Sequence, residues 1–119
     1  MYALAGCGQA GSDAPVITEL PSEDSATVLA LSAPPNRRLG FDKRLLQTSA
    51  GLLTIIMDNP SPVAHGIALR GPGVSQKGPI VAPGATSKIA ARLRRGRYLF
   101  YCPVPGHRRA GMQGVLQVR

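Results

Sequence analysis

The chain reads as an all-β sandwich with an unstructured tether at its N-terminus, and three observations predict this. Short apolar runs recur between turn residues at the spacing of sandwich strands. Inside those runs apolar and polar residues alternate, as a half-buried strand requires. A helical period is scarcely indicated anywhere. At 119 residues the chain can bury one core without disulfides and is too short for two ordinary domains. We therefore expect a tether over residues 1–25 and one domain over 26–119, with a single site carrying the function.

The head of the chain is rich in Gly, Ser, Pro, Asp and Glu from Gly8 to about Ser25, the composition of a linker. Before it, Leu4-Ala5-Gly6-Cys7 resembles the lipobox that precedes a lipidated cysteine in bacterial lipoproteins. A secretory signal needs an apolar run of roughly 7–15 residues, whereas only Met1-Tyr2-Ala3 come before this motif. Two readings stand. Cys7 is a lipid anchor, with export to the periplasm or the outer face of the cell membrane, or the match is incidental in a disordered head. No other stretch approaches the roughly 20 apolar residues of a transmembrane helix.

Strand character then appears over residues 26–31, 45–49, 52–57, 66–69, 87–93, 97–102 and 114–118. The runs are punctuated by Pro34-Pro35-Asn36, Asn59-Pro60-Ser61-Pro62, Gly71-Pro72-Gly73 and Ala82-Pro83-Gly84, all residues that favour turns. In the fifth run Ile89, Ala91 and Leu93 fall on one face and Lys88, Arg92 and Arg94 on the other. In the sixth, Tyr98, Phe100 and Cys102 share a face. If that face is inward, Cys102 reaches the end of its strand already pointing at the edge of the core.

The tail holds the candidate site. Cys102-Pro-Val-Pro-Gly-His107-Arg-Arg-Ala-Gly-Met112 places a thiolate, an imidazole and a thioether on one loop between two strands. Pro103, Pro105 and Gly106 suit a turn and not a helix. The only other histidine is His65, directly after the turn of residues 59–64. Two imidazoles, one thiolate and a weak thioether form the donor set of mononuclear electron-transfer copper: the sulfur ligands favour Cu(I) and the imidazoles accept Cu(II). Singly, each residue has an ordinary explanation, a buried cysteine as a small hydrophobe and Met112 as core filler. Jointly they use every histidine in the chain.

Tyr101-Cys102-Pro-Val-Pro-Gly-His107-x4-Met112, followed by Gly114-Val-Leu-Gln-Val, resembles the copper loop and last strand of cupredoxins of the plastocyanin and azurin type. Asn59-Pro-Ser-Pro-Val-Ala-His65 resembles the segment that delivers their first histidine. The similarity covers roughly residues 38–119, and its loop spacing is nearer rusticyanin, sulfocyanin and auracyanin than plastocyanin. It implies a Greek-key β-sandwich, a monomer, and one type 1 copper ion on His65, Cys102, His107 and Met112. It also implies an electron port at His107, ringed by Pro62, Val63, Pro103, Val104, Pro105 and Gly111. Where many relatives carry an Asn that ties the two ligand loops together, this chain has Gly66. The backbone amides of Gly66 and Val104 are then the candidate donors to the Cys102 sulfur.

Charge bears on partners. Residues 1–36 carry Asp13, Glu19, Glu23 and Asp24 and no base, while residues 37–119 carry all 14 Lys and Arg against Asp42 and Asp58. Such a field steers a domain toward an acidic protein, an anionic membrane or nucleic acid. Nucleic acid is disfavoured, because single-strand readers need aromatic platforms and this chain has no Trp. We expect an acidic redox partner of cytochrome or oxidase type near His107. Arg108 and Arg109 are either its guides or ordinary solvated surface.

Competing functions fare less well. A binuclear copper centre needs a second cysteine on the loop, and copper oxidases or nitrite reductases need more histidines and another domain. A thiol enzyme built on Cys102 and His107 lacks an orienting acid and leaves His65 and Met112 without a task, so no enzymatic activity is expected. A copper-binding or copper-delivery protein that shuttles no electrons would use the same ligands and stays open.

Overall fold

The computed structural model describes residues 27–119. Residues 1–25, where a tether is expected, with Cys7, and Ala26, lie outside the described residues. The strands are β1 Thr27–Ser32, β2 Leu45–Thr48, β3 Gly51–Asp58, β4 Ala68–Gly71, β5 Val74–Lys77, β6 Thr86–Leu93, β7 Gly96–Tyr101 and β8 Gln113–Val118, with no helix among the described residues. Seven match the runs seen in the sequence, their ends displaced by no more than two residues. The eighth, β5, is not signalled there. Val-Ser-Gln-Lys has no apolar alternation, and three of its four residues are exposed. It becomes a strand because the Pro72-Gly73 turn folds it back along β4, pairing Gly71 with Val74 and Ala68 with Lys77.

Two sheets result, one ordered β1-β3-β6 and the other β2-β8-β7-β4-β5. β3 pairs antiparallel with β6 from Gly51↔Leu93 to Asp58↔Thr86, although the β4–β5 hairpin intervenes in sequence and belongs to the opposite sheet. β4 likewise pairs with β7, Phe100 opposite Leu69, across the intervening β6. These over-and-back connections make the sandwich a Greek key, as expected. β1 runs parallel to β3 and β2 parallel to β8.

Alternation decides what the sandwich buries. Leu53, Ile55 and Met57 of β3, with Ile89 and Leu93 of β6, share one core cluster with Leu69, Tyr98, Phe100, Leu116 and Val118 of the other sheet. Full burial of each such side chain is worth roughly 1.5–3 kcal/mol. The Tyr98 hydroxyl donates to the carbonyl of Arg94 at 2.8 Å, so the ring is buried without stranding its polar end. Phe100 leaves no exposed surface, and its ring lies where a side chain at Gly114 would stand. At the end where β7 finishes, Tyr101 pairs with Gln113, and the loop of residues 102–112 closes over the core.

Candidate metal centre

The first ligand candidate is delivered by a loop that polar side chains make rigid. Asn59 and Ser61, 1% and 0% exposed, sit beneath the turn after β3. The Asn59 amide nitrogen donates to the carbonyls of Val63 at 2.9 Å and Val81 at 3.1 Å. Its side-chain oxygen accepts the Ser61 N–H and lies 2.8 Å from Ser61 Oγ, which in turn accepts the Val63 N–H at 3.1 Å. His65 then forms a two-way backbone bridge with Val81, at 3.2 and 2.8 Å. The buried polar groups of Asn59 and Ser61 thus have partners, which removes the desolvation penalty that would otherwise let the loop open.

The second loop carries Cys102, His107 and Met112. β7 alternation places Tyr98, Phe100 and Cys102 on the inward face, at 2%, 0% and 1% exposure. The loop then winds through successive turns: His107 N–H donates to the Val104 carbonyl, Gly111 N–H to that of Arg108, and Met112 N–H to that of His107. Gly106 takes a φ of +85°, a conformation that costs most residues with a Cβ. Cys102 N–H donates to the carbonyl of Met112 at 3.1 Å, so the two ends of the loop are tied across its mouth. Met112 is fully buried.

Together the loops bring three donors to one point. Cys102 Sγ lies 3.8 Å from His65 Nδ1 and 3.6 Å from His107 Nδ1, and one donor atom from each residue lies within 4.8 Å of the others. Metal–nitrogen and metal–sulfur bonds of about 2.0 and 2.3 Å, opened to a trigonal angle, put N and S about 3.7 Å apart. The spacing therefore fits a first-row metal ion. The imidazoles stand edge to face, centroids 5.1 Å apart. His65 is wholly buried and its Nε2 has no hydrogen-bond partner among the described residues, whereas His107 is half-buried and nearer solvent.

The electrostatics suit this set. Burial pushes the Cys102 thiol up, and the backbone amides of Gly66 and Val104, both bonded to it, pull it part of the way back. Burial holds both imidazoles below their ordinary value, and for His65 the neighbouring His107 adds to the effect. Both rings are therefore neutral at pH 7 and present lone pairs to a cation.

Four features escape sequence reasoning. Asn59 and Ser61 read there only as turn residues. Ser87 on β6, 0% exposed, accepts the Ile67 N–H at 3.3 Å and donates to the Pro79 carbonyl at 2.6 Å. It joins the segment after His65 to the 78–81 segment. Gly66 has no room for the Asn of other sequences, since a Cβ there would stand 2.8 Å from the Pro79 carbonyl oxygen and 3.2 Å from Pro103. Finally, Arg108 is not a free surface charge: its guanidinium lies 4.6 Å above the Tyr101 ring, a cation–π contact.

Residues 36–119 match the family model described as copper binding proteins of the plastocyanin/azurin family. Among solved structures the chain is similar to dithionite-reduced auracyanin from the photosynthetic bacterium Roseiflexus castenholzii, at 21% identity and a TM-score of 0.66 over 78% of this chain and 97% of that one. It is similar to auracyanin B at 22% identity and a TM-score of 0.70, over 87% and 94%. It is also similar to auracyanin A, described as a "blue" copper protein of the green thermophilic photosynthetic bacterium Chloroflexus aurantiacus, at 24% identity and 0.69, over 80% and 100%. At these identities the likeness is one of fold. No curated protein matches the chain.

Proposed function

The chain belongs to the plastocyanin/azurin family of copper-binding proteins, and on that premise we propose that it is an electron carrier whose one type 1 copper ion is held by His65, Cys102, His107 and Met112. When bound, copper supplies a one-electron Cu(II)/Cu(I) couple. The single observation that carries the reading is the convergence of two imidazole nitrogens and one thiol sulfur within 4.8 Å at the closed end of a buried sandwich. His65 and Cys102 hold the site from within the core. His107, the half-buried member, gives an electron its shortest way out, through a rim of partly exposed Val63, Pro103 and Val104. The Gly66 and Val104 amides fix the sulfur. The polar network under residues 59–65 resists movement of His65, which keeps the geometric change on electron transfer small.

The partner we assign is an acidic redox protein that docks at this end. Export with a lipid anchor at Cys7 is supported by the Leu4-Ala5-Gly6-Cys7 motif, and mass spectrometry of protein from its native membrane reads it directly. The test of the central reading is optical and electrochemical. Added Cu(II) should give an intense blue or green thiolate charge-transfer band, absent in Cys102→Ser, and a reversible one-electron wave. A colourless protein with a reactive thiol would overturn it. Rapid loss of copper to a weak chelator would favour delivery over shuttling.

A further inference from the structure

We infer that the cleft between the 38–44 loop and the 102–112 loop is the anchor for carboxylates of an acidic partner protein, with Arg38 and Arg44 as its two prongs. The inference rests on the electron-carrier reading and adds to it the place and chemistry of docking. The cleft has a volume of about 390 Å³ and is lined by Arg38, Phe41, Arg44, Ala110, Gly111 and Gln113, among others. One wall is therefore the 102–112 loop itself, at the residues that lead into Met112. The other wall is fixed: the Phe41 ring packs on Phe100 at 5.7 Å, and the Arg44 carbonyl accepts the Val115 N–H at 2.9 Å.

Three observations point to an anionic occupant. First, no acid lines this cleft. Of the two acids among the described residues, Asp42 faces an adjoining cavity that also borders Arg38 and Arg44 and is bonded to Lys43 and the Ser32 amide, while Asp58 bonds the Thr86 hydroxyl. Secondly, the guanidinium groups of Arg38 and Arg44 make no hydrogen bond or ion pair to any described residue. Thirdly, Arg108 is held over Tyr101, so the charge immediately after His107 is anchored to the protein. Two guanidinium forks in a concave site match the geometry of carboxylates better than point charges do. A larger groove of about 760 Å³, lined by Arg70, Lys77 and Arg97, lies on the outer face of the five-stranded sheet, and it serves as the comparison site.

The test has two arms. In the first, the Cu(I) protein is oxidised by hexacyanoferrate(III) at low ionic strength. One electron leaves Cu(I), giving Cu(II) and hexacyanoferrate(II), with no proton moved and no bond exchanged. Arg38→Glu with Arg44→Glu should slow this about tenfold, the scale of electrostatic steering. Arg94→Glu with Arg95→Glu, the same change in net charge at the opposite end of the sandwich, should slow it about twofold or less. In the second arm, a hexaglutamate peptide is titrated into isotope-labelled protein and amide shifts are followed by NMR. The shifts should centre on residues 38–44 and 110–113 and vanish in the Arg38/Arg44 double variant. This arm needs no electron transfer, so it reads the cleft even if the copper proves redox-silent. Equal slowing by the two double variants, or shifts centred on Arg70, Lys77 and Arg97, would overturn the inference. So would cleft signals that respond to phosphatidylserine vesicles and not to the peptide, which would reassign the cleft to a membrane surface.

Discussion

Cys102 shows how single residues set the properties of the centre. Its position at the end of β7 was legible in the alternation of Tyr98, Phe100 and Cys102, and the two donors to its sulfur were legible as backbone amides next to ligand candidates. Each such bond draws charge off the thiolate, which then gives less to Cu(II) and favours Cu(I). Val104→Pro removes one donor, so the midpoint potential should fall, by tens of millivolts if the bond is worth about 1.5 kcal/mol. Cyclic voltammetry of the two proteins measures this, and an equal or higher potential would refute it. What the sequence hid at this scale was the fate of Arg108, because a cation–π contact depends on where the Tyr101 ring lies in space.

Protonation belongs to the same scale. In metal-free protein the folded state holds His65 and His107 below their ordinary value, so below about pH 6.5 the unfolded chain binds more protons than the folded one. Stability should therefore fall as pH drops through that value. Cys102 is shifted the other way: the folded state keeps its thiol proton longer, so stability should also fall as pH rises past the ordinary thiol range. Urea melts of metal-free protein should peak between these windows, and a flat profile from pH 5 to 7 would contradict the first half.

Among the elements, the loop of residues 59–65 is the one whose stiffness matters most. Its sequence announces a turn and nothing more, because Asn and Pro favour turns whether they are buried or exposed. Asn59 is bonded to the opposite segment, 81–85, which no local pattern reveals. Asn59→Ala leaves the buried Ser61 N–H without its acceptor and takes one of two donors from each of the Val63 and Val81 carbonyls, and should cost about 2 kcal/mol, read as a lower urea midpoint. In copper-loaded protein the charge-transfer band should also broaden as His65 gains freedom. β5 carries the same lesson in reverse: its residues have no strand pattern, and pairing with β4 alone makes them one. The strongly alternating strands β6, β7 and β8 were readable because their burial follows their own period.

At the scale of the whole molecule, the core and the metal should support each other. A ligand that binds only the folded state stabilises it by about 4 kcal/mol at a thousand times its dissociation constant, so the copper-loaded protein should melt well above the metal-free one. Calorimetry of both forms checks this, and equal melting temperatures would place the ligands outside a preformed site. Charge acts over the same distance. With 14 bases against two acids beyond residue 36, and both acids bonded within the fold, reaction with an acidic partner should slow as salt screens the attraction.

The tying up of Asp42 and Asp58 has one more consequence, which concerns two copies of this molecule meeting each other. For an electron to hop between a reduced and an oxidised copy, both must bring their His107 edges together, and each edge is flanked by arginines with no counter-charge to offer. Self-exchange should therefore be slow in dilute buffer and quicken as salt is added, the opposite trend to the reaction with an acidic partner. On the proposed electron-carrier reading, such repulsion would keep electrons from being traded among identical copies and reserve them for a molecule of different charge.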